Sequence, residues 1–298
     1  STHRVVEACR ICRSPELALV VSLGDSPLAN AFVRPERVAE PELRFPLEAM
    51  RCLRCGLVQL SVVVRPEIMF ADYAYATSAS TPAVEHFDAV AGELVARFEL
   101  HGQLVVEVGS NDGVLLAPLR ARGALALGIE PAENLAATAN ARGLDTIVGY
   151  FGDRSAQRVA ADRGRARLIV ANNVLAHIDD LHAVVAGLDA LLGDDGVFVA
   201  EFPYLEDLLD GVEYDTIYHE HLSYFALTPL RTLFSYAEME LFDVRKLAVH
   251  GGSVRIYVGR SGRRPVSDEA RRMLVHEEES GLLAASTYRR FADRVGGS

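Results

Sequence analysis

Apolar residues between residues 82 and 258 fall into two alternating patterns, short unbroken runs and stripes with helical spacing. The run at 104–108 is apolar except for Glu107, which predicts a strand buried on both faces of a parallel sheet. Runs at 124–129, 145–148, 166–171 and 197–202 predict further strands, and helices are predicted at 82–99, 132–141, 181–192 and 228–237. Alternating strands and helices predict an α/β fold.

The last two predicted strands follow a different pattern. Residues 241–249 and 253–258 are joined by a short turn containing Gly251 and Gly252, which predicts a hairpin. Beyond them, 267–295 is predicted as one helix, with Ser267 as its N-cap and two acidic residues in its first turn. The predicted fold is therefore α/β, a mostly parallel Rossmann-like sheet with an antiparallel last strand.

The four cysteines of the chain form two C-x-x-C pairs, Cys9 with Cys12 and Cys52 with Cys55. Two such turns can place four thiolates tetrahedrally around Zn²⁺, with backbone N–H groups directed at the sulfurs. Two disulfides or free thiols are the alternatives, but neither explains why no cysteine lies outside the pairs. We predict a small zinc-binding domain whose metal is structural, because four protein ligands leave no open coordination position.

The segment after the first strand of the sheet carries the strongest sign of a bound cofactor. The strand ends at Gly109, a tight turn follows through Asn111 and Asp112 to Gly113, and a helical pattern begins at once. Such a turn directs backbone N–H groups and a helix N-terminus at a ligand. Glu130, at the end of the next strand, is predicted to accept the ribose hydroxyls of a nucleotide-like cofactor.

The charges around this turn decide which cofactor it suits. Its spacing is E-x-G-x-x-x-G, starting at Glu107, and not the G-x-G-x-x-G that brings a pyrophosphate close to the backbone. Carboxylates at Glu107 and Asp112 suit a ligand with an ammonium and a sulfonium group. This pattern is typical of class I S-adenosylmethionine-dependent methyltransferases, with a generic nucleotide-binding turn as the alternative. We predict S-adenosyl-L-methionine as the cofactor.

Further cofactor contacts are predicted near the ends of the neighbouring strands. Asn172 and Asn173 are poor strand formers at the end of the strand that points at the middle of the cleft. The remaining candidates are Pro131, Phe151 near the adenine position, and Tyr75 in a segment rich in tyrosine, serine and threonine. Core packing explains Phe151 equally well, and the segment of Tyr75 is either a lid over the cleft or a packing connector.

Four ionisable side chains follow one another at Tyr218, His219, Glu220 and His221. In an extended segment, Tyr218 and Glu220 would face one side and the two histidines the other. Because histidine has a pKa near neutrality, which suits a general base, we predict proton transfer here. The two histidines with Glu220 could instead bind a second metal ion. For His177, a core position is slightly favoured over a catalytic one.

Charge and composition narrow the range of partners. A net charge of −11 argues against binding a nucleic-acid backbone, which needs a basic face. The sequence has no apolar run of about 18 residues, and its first residues lack the apolar core of a signal peptide. We therefore expect no membrane span, a cytoplasmic location, a small-molecule substrate and a monomer.

Together these motifs resemble a known family, the sugar C-3 methyltransferases of deoxysugar biosynthesis, which act on dTDP-linked 4-keto sugars in antibiotic pathways. The resemblance covers the whole chain. It rests on the four cysteines and on five blocks: EVGSNDG at 107–113, GIEP at 128–131, ANNVLAHI at 171–178, YDTIYHEH at 214–221 and VHGGS at 249–253. The last two blocks are specific to these C-methyltransferases.

The resemblance implies that Tyr218, Glu220 and His221 line the place where a proton leaves the sugar carbon. Methylation of carbon needs a base beside a carbonyl group, and an enolate formed next to the 4-keto group then attacks the methyl group. His221 is predicted as the base and Tyr218 as the group that polarises the ketone or shares the role of base. Glu220 is predicted to orient the histidine.

The predicted domains are a zinc-binding domain at 1–68, an S-adenosylmethionine-binding methyltransferase domain at 69–260 and a helical extension at 261–298. Members of the family carry a third, Rossmann-like domain after this helix, which the chain is predicted to lack. Two other functions stay open. One is an O- or N-methyltransferase of another small metabolite, and the other is a cofactor-binding module without turnover.

Overall fold

The computed structural model describes residues 2–33, 35–69, 76–249 and 251–297. Its strands are β1 His3–Val5, β2 Leu17–Pro27, β3 Arg44–Cys52, β4 Val58–Leu60, β5 Val62–Val64, β6 Leu104–Val108, β7 Leu125–Glu130, β8 Thr146–Val148, β9 Ala166–Asn172, β10 Leu192–Pro203, β11 Ser223–Tyr224, β12 Met239–Leu247 and β13 Ser253–Arg260. Its α-helices are α1 Pro66–Met69, α2 Thr81–Phe98, α3 Leu116–Ala121, α4 Glu133–Ala141, α5 Asp153–Arg163, α6 Leu181–Leu191, α7 Leu205–Gly211, α8 Leu227–Ser235, α9 Asp268–Glu279 and α10 Ala285–Gly296.

Seven strands form the main sheet in the order β12-β13-β10-β9-β6-β7-β8. Strands β6 to β10 run parallel to one another, whereas β13 is antiparallel to both of its neighbours, β10 and β12. All five residues of β6 are buried, as expected for a central strand covered on both faces. The predicted fold class is confirmed, and the antiparallel last strand lies inside the sheet and not at its edge.

The N-terminal residues form a second, smaller sheet that a late segment of the chain completes. Its strand order is β11-β4-β3-β2, and in the β11–β4 pair Ser223 lies opposite Gln59 and Tyr224 opposite Val58. Apolar residues of β2, β3 and β4 share one buried cluster with residues of α7 and α10. The cysteine region is therefore packed into the rest of the chain from two directions.

The C-terminal helical segment is broken, contrary to the single helix predicted. Ser267 caps α9 as expected, since its hydroxyl accepts a hydrogen bond from the backbone N–H of Ala270 at 3.1 Å. Helix α9 ends at Glu279, and Gly281 follows in the left-handed region with a φ of 67°. The break lets the chain turn and bury Leu282 against the smaller sheet before α10 begins.

Helix α2, with 18 residues, lies against the main sheet and leads into β6. Val90, Leu94 and Phe98 form its buried stripe, as the helical spacing predicted. Among the helices of the described residues, none has both the length and the apolar character that crossing a membrane requires.

Candidate functional site

The turn after β6 is held in place by Glu130 at the end of β7. One carboxylate oxygen of Glu130 accepts a hydrogen bond from the backbone N–H of Asn111 at 2.7 Å, and the other accepts one from Ala132 at 2.8 Å. Gly109, Asn111 and Gly113 have φ values of 65°, 50° and 84°, so three residues of the turn are left-handed. Because a carboxylate offers about four lone-pair positions, Glu130 keeps acceptor capacity for ribose hydroxyls.

Close packing leaves no room for a side chain at Gly109. A Cβ atom placed there would lie 2.6 Å from Cγ2 of Val174, in the loop after β9. The turn and this loop are therefore in direct contact at the carboxyl edge of the sheet, the edge where open α/β sheets bind ligands.

Three buried carboxyl groups, those of Glu107, Asp112 and Glu130, lie near one another at this edge of the sheet. Glu107 is only 5% exposed, and burial, followed by the charges of Glu130 and Asp112, raises its pKa well above the ordinary value. Burial also raises the pKa of Glu130. Ionisation of these carboxyl groups therefore carries a desolvation cost, which a positively charged ligand would offset.

Half of the buried side-chain polar atoms that lack a hydrogen-bond partner in the described residues lie at the carboxyl ends of β6 and β9. They are Glu107 Oε2, Ser110 Oγ, Asp112 Oδ1, both polar atoms of the Asn172 amide and Asn173 Oδ1. Buried polar atoms in native proteins are nearly always paired, so such a cluster is typical of a ligand site. These donors and acceptors fit the ammonium, carboxylate and hydroxyl groups of S-adenosylmethionine.

The other predicted cofactor residues lie in different surroundings. Asn173 is left-handed, with a φ of 54°, and its N–H donates to the Glu201 carbonyl at 2.6 Å, so β10 fixes this corner of the cleft. Phe151 is buried in the main core. Pro131 is exposed just before α4. Tyr75 lies outside the described residues.

Tyr218 and His221 form a hydrogen-bonded pair. Tyr218 Oη lies 3.0 Å from His221 Nε2, and His221 Nδ1 lies 3.0 Å from the Thr216 carbonyl oxygen. A carbonyl oxygen can only accept, so Nδ1 carries the proton and Nε2 is the acceptor for the Tyr218 hydroxyl. The imidazole is therefore fixed as the tautomer with its basic nitrogen directed at Tyr218.

The segment from Tyr218 to His221 is a turn, so the facing that an extended segment would give does not apply. A turn in which the His221 N–H donates to the Tyr218 carbonyl at 3.0 Å brings these two residues to the same side. His219 instead faces the smaller sheet, with Nε2 3.3 Å from the Pro46 carbonyl oxygen. The turn replaces the alternation of an extended chain, because i and i+3 are neighbours in a turn.

The expected role of Glu220 is also wrong. Its Oε1 accepts a hydrogen bond from the side-chain amide of Asn30 at 2.7 Å, whereas the Thr216 carbonyl orients the histidine. Glu220 is 6% exposed, and burial raises its pKa. The carboxyl group thus connects the segment of His221 to the N-terminal region.

The sequence slightly favoured a core position for His177 over a catalytic one, and the structure places its ring against His221. The two rings pack edge to face with their centroids 4.9 Å apart. Burial, followed by the charge of His221, lowers the pKa of His177 to about 3, so this ring is neutral. The Leu222 N–H donates to the Ala176 carbonyl at 2.7 Å, which joins the loop after β9 to the segment of Tyr218 and His221. The sequence signal for His177 was its position shortly after Asn172 and Asn173.

The four cysteines come together as a candidate metal centre. All four sulfurs lie within 4.8 Å of one another, with Cys9 and Cys55 separated by 3.5 Å and Cys12 and Cys52 by 3.4 Å. The cysteines are free thiols, so the disulfide alternative is excluded. The N–H of Ile11 donates to the sulfur of Cys9 at 3.4 Å, as in a zinc knuckle.

These four thiols fit Zn²⁺, because four sulfurs at about 2.3 Å from the metal lie roughly 3.8 Å apart. Among the described residues, no other group of three or more histidine, cysteine, aspartate or glutamate side chains is arranged for a metal ion. The alternative of a second metal at His219 and His221 therefore finds no support, and their side chains point in different directions.

Three family models match the chain. Residues 9–70 match one described as "Putative zinc binding domain", residues 84–242 match "Methyltransferase domain", and residues 248–298 match "C-methyltransferase C-terminal domain". The expectation that the chain lacks the C-terminal domain is therefore wrong. The segment that was predicted as a helical extension belongs to that domain's match.

A curated relative, the C-methyltransferase NovU of Streptomyces niveus, is 39% identical over 291 residues, covering 97% of this chain and 69% of the relative. Among solved structures, the PH0226 protein of Pyrococcus horikoshii OT3 is 14% identical, with a TM-score of 0.51 over 66% of this chain and 97% of that one. The magnesium protoporphyrin IX methyltransferase of Synechocystis PCC 6803 with bound SAH is 18% identical, with a TM-score of 0.47 over 60% and 83%. The likeness to the PH0226 protein concerns the fold alone.

Proposed function

The chain belongs to the S-adenosylmethionine-dependent C-methyltransferases, and on that premise we propose that it methylates C-3 of a dTDP-linked 4-keto deoxysugar through an enolate. The observation that carries this proposal is the Tyr218–His221 pair, a base of fixed tautomer beside the cofactor cleft. The choice of a dTDP-sugar rests on the resemblance of the sequence motifs to sugar C-3 methyltransferases.

Carbon methylation needs a proton acceptor, and the pair supplies one. Because Nδ1 carries the proton and donates it to the Thr216 carbonyl, Nε2 of His221 carries no proton, and its lone pair can accept one. His221 accepts the proton from the sugar carbon, either directly or through the hydroxyl of Tyr218, which otherwise donates to the ketone oxygen. The neutral ring of His177 packs against the imidazole and excludes water from it.

The cleft residues bind and orient the cofactor, which when bound supplies an electrophilic methyl group. Glu107 and Asp112 face its ammonium group, and Glu130 accepts its ribose hydroxyls. Both polar atoms of the Asn172 amide and the amide oxygen of Asn173, which have no hydrogen-bond partner among the described residues, bind the polar end of the ligand. Fixing both partners in this way converts methyl transfer into an intramolecular step.

The proposed residues divide into three sets. The catalytic residues are Tyr218 and His221. The cofactor contacts are Glu107, Gly109, Asn111, Asp112, Gly113, Glu130, Pro131, Phe151, Asn172, Asn173 and Tyr75. The metal ligands are Cys9, Cys12, Cys52 and Cys55.

The test combines methyl transfer with hydrogen exchange. A dTDP-4-keto sugar is incubated with methyl-labelled S-adenosylmethionine, and separately in D₂O with S-adenosylhomocysteine, which cannot donate a methyl group. We expect labelled sugar product and deuterium at C-3, both reduced at least a hundredfold in His221→Ala, since general bases contribute roughly 10²–10⁴-fold. Tyr218→Phe separates direct from relayed proton transfer, because relay requires the hydroxyl.

An O- or N-methyltransferase would give neither deuterium at carbon nor a C-methylated sugar, and either result would contradict the proposal. A chain that binds S-adenosylmethionine but methylates no dTDP-4-keto sugar would support a changed acceptor. If His221→Ala were as active as the parent, His221 would not be the base.

A further inference from the structure

Arg10 lies between Cys9 and Cys12, in the first zinc knuckle, but its side chain bonds to residues outside the knuckle. It is 3% exposed, and its Nε donates to Asp179 Oδ1 at 3.1 Å. Its Nη1 donates to the carbonyl of Leu60 at 3.3 Å. Asp179 follows His177 by two residues, so this guanidinium joins the first knuckle to the loop that carries the two asparagines and His177.

Gln59 makes a second connection from the same knuckle. Its Oε1 accepts a hydrogen bond from the Arg10 N–H at 2.8 Å, and its Nε2 donates to the Ala8 carbonyl at 3.2 Å, so it holds the chain on both sides of Cys9. Gln59 is fully buried and lies opposite Ser223 in the β11–β4 pair. A buried amide with both polar ends paired fixes the backbones that it joins.

The catalytic segment, which carries Tyr218 and His221, is in turn bonded to β4, the strand that carries Gln59. The Leu60 N–H donates to the Leu222 carbonyl at 3.0 Å, and Leu222 directly follows His221. The loop after β9 therefore reaches Arg10 directly, through Asp179. The segment before β11 reaches it through Leu60, whose N–H donates to Leu222 and whose carbonyl accepts from Arg10. The turn after β6 is held instead by Glu130, which belongs to the main sheet.

We propose that Arg10 and Gln59 are positioning residues, which transmit the geometry of the zinc knuckle to the Tyr218–His221 pair. The inference rests on the proposed function of that pair. Their effect is selective, because the cofactor turn has its own support in the main sheet. Disturbing this connection loosens the segment of Tyr218 and His221 and leaves the turn after β6 in place.

The test compares Arg10→Gln with Arg13→Gln in the full, zinc-loaded chain. Arg13 is a matched control from the same knuckle, since its guanidinium forms a surface ion pair with Asp180 at 3.7 Å and is 61% exposed. Amide hydrogen exchange is followed in peptides covering 218–224 and 104–113. We expect exchange at 218–224 to be at least tenfold faster in Arg10→Gln and unchanged in Arg13→Gln, with 104–113 unchanged in both.

Two further readouts separate positioning from a general loss of structure. Zinc content should stay at one ion per chain, and the Kd of S-adenosylmethionine should stay within twofold of the parent. Where the dTDP-sugar reaction is active, kcat should fall at least tenfold while the KM of the cofactor stays constant. Gln59→Leu, which removes both amide hydrogen bonds, should give the same pattern.

Equal protection of 218–224 in Arg10→Gln and the parent would overturn the inference, and so would an equal loss of protection in both segments. Should Arg10→Gln lose its zinc, the same hydrogen-exchange comparison is made on Asp179→Asn. Asp179 is the partner of Arg10 outside the knuckle, and its side chain is 35% exposed. Hydrogen exchange needs no substrate, so its result stands whether or not the dTDP-sugar is methylated.

Discussion

Among single residues, Glu107 is the one whose ionisation lowers the stability of the fold but favours binding of a cationic ligand. Its carboxyl group is buried, Oε2 has no hydrogen-bond partner, and the pKa is raised well above the ordinary value. A carboxyl group whose pKa is higher in the folded state adds stability at low pH and loses it as the pH rises towards that pKa. Ionisation of Glu107 therefore opposes folding, whereas the proposed contact with a cationic ligand requires it.

Replacing Glu107 with glutamine should separate these two effects. We expect Glu107→Gln to raise the Tm of the ligand-free protein by about 2–4 °C, or roughly 1 kcal/mol. The affinity for S-adenosylmethionine should fall at least about tenfold, which corresponds to about 1.4 kcal/mol. Scanning calorimetry and titration calorimetry measure the two quantities.

Glu133→Gln serves as the control for that substitution, because Glu133 is exposed in the first turn of α4. It should change neither the Tm nor the affinity. Parent-like cofactor affinity in Glu107→Gln would contradict the assigned role. In the parent, affinity should also rise with pH across the interval in which Glu107 and Glu130 ionise, since burial raises the pKa of both.

A pair of glycines tests the tight turn. Gly109 and Gly24 are both left-handed, with φ values of 65° and 72°, but a Cβ at Gly24 meets nothing within 4 Å. Gly24→Ala should therefore cost only the backbone strain, about 1 kcal/mol. Gly109→Ala adds the clash with Val174 and should cost about 1–3 kcal/mol more, with loss of cofactor binding. Chemical denaturation measures the difference, and equal costs would argue against the contact.

Among the secondary-structure elements, α9 and α8 are joined by one buried carboxylate. Glu277 of α9 accepts hydrogen bonds from the N–H groups of Leu227 at 2.6 Å and Thr228 at 2.8 Å, at the start of α8. It also accepts one from the Tyr204 hydroxyl at 2.8 Å, and burial and this carboxylate raise the pKa of Tyr204, so the tyrosine remains a donor. A distant residue thus caps α8 and complements its dipole.

Loss of this cap should destabilise the protein strongly. Glu277→Gln places an amide donor among N–H and O–H donors, and we expect the free energy of unfolding to fall by about 3 kcal/mol, since each hydrogen bond to a charged group contributes roughly 1.5–3 kcal/mol. Glu278→Gln, at the exposed neighbouring position, should be neutral. Urea denaturation of both variants checks the prediction, and equal stabilities would show that the cap is dispensable.

In the whole molecule, the zinc-binding region and the C-terminal helices share one core. Phe291 and Tyr288 of α10 are buried in the cluster that also holds Val20, Leu47 and Leu60. Arg51 of β3 donates to the carbonyl of Leu283, just before α10. The N-terminal region is therefore expected to unfold together with α10 and not as an independent module.

Truncation of Phe291 should weaken zinc binding although it lies far along the chain from the cysteines. Phe291→Ala removes a ring that is 2% exposed and should lower the free energy of unfolding by about 3–5 kcal/mol. Zinc release to a chelator should become faster because metal binding and folding are coupled. Val275→Ala, at a side chain that is 50% exposed, is the control. Unchanged zinc release in Phe291→Ala would indicate an autonomous zinc domain.

Local patterns in the sequence were sufficient wherever a residue's neighbours along the chain decide its structure. The apolar runs predicted the parallel strands, and the glycine turn predicted the antiparallel last strand. Membership of the methyltransferase class, the cofactor and the four-cysteine zinc site are likewise confirmed. Cysteine spacing and carboxylates near a strand end are properties of short segments, so no tertiary information was needed. The cytoplasmic location, the monomeric state and the domain limits stay predictions.

Only the tertiary structure decided which groups meet across long separations. The pairing of β11 with β4, the packing of His177 on His221, the choice of Asn30 as the partner of Glu220 and the cap at Glu277 join segments that are far apart in the chain. A contact of this kind depends on the burial of the whole core, because a hydrogen bond is worth most where water is excluded. Sequence fixes which chemical groups are available, and packing selects their partners.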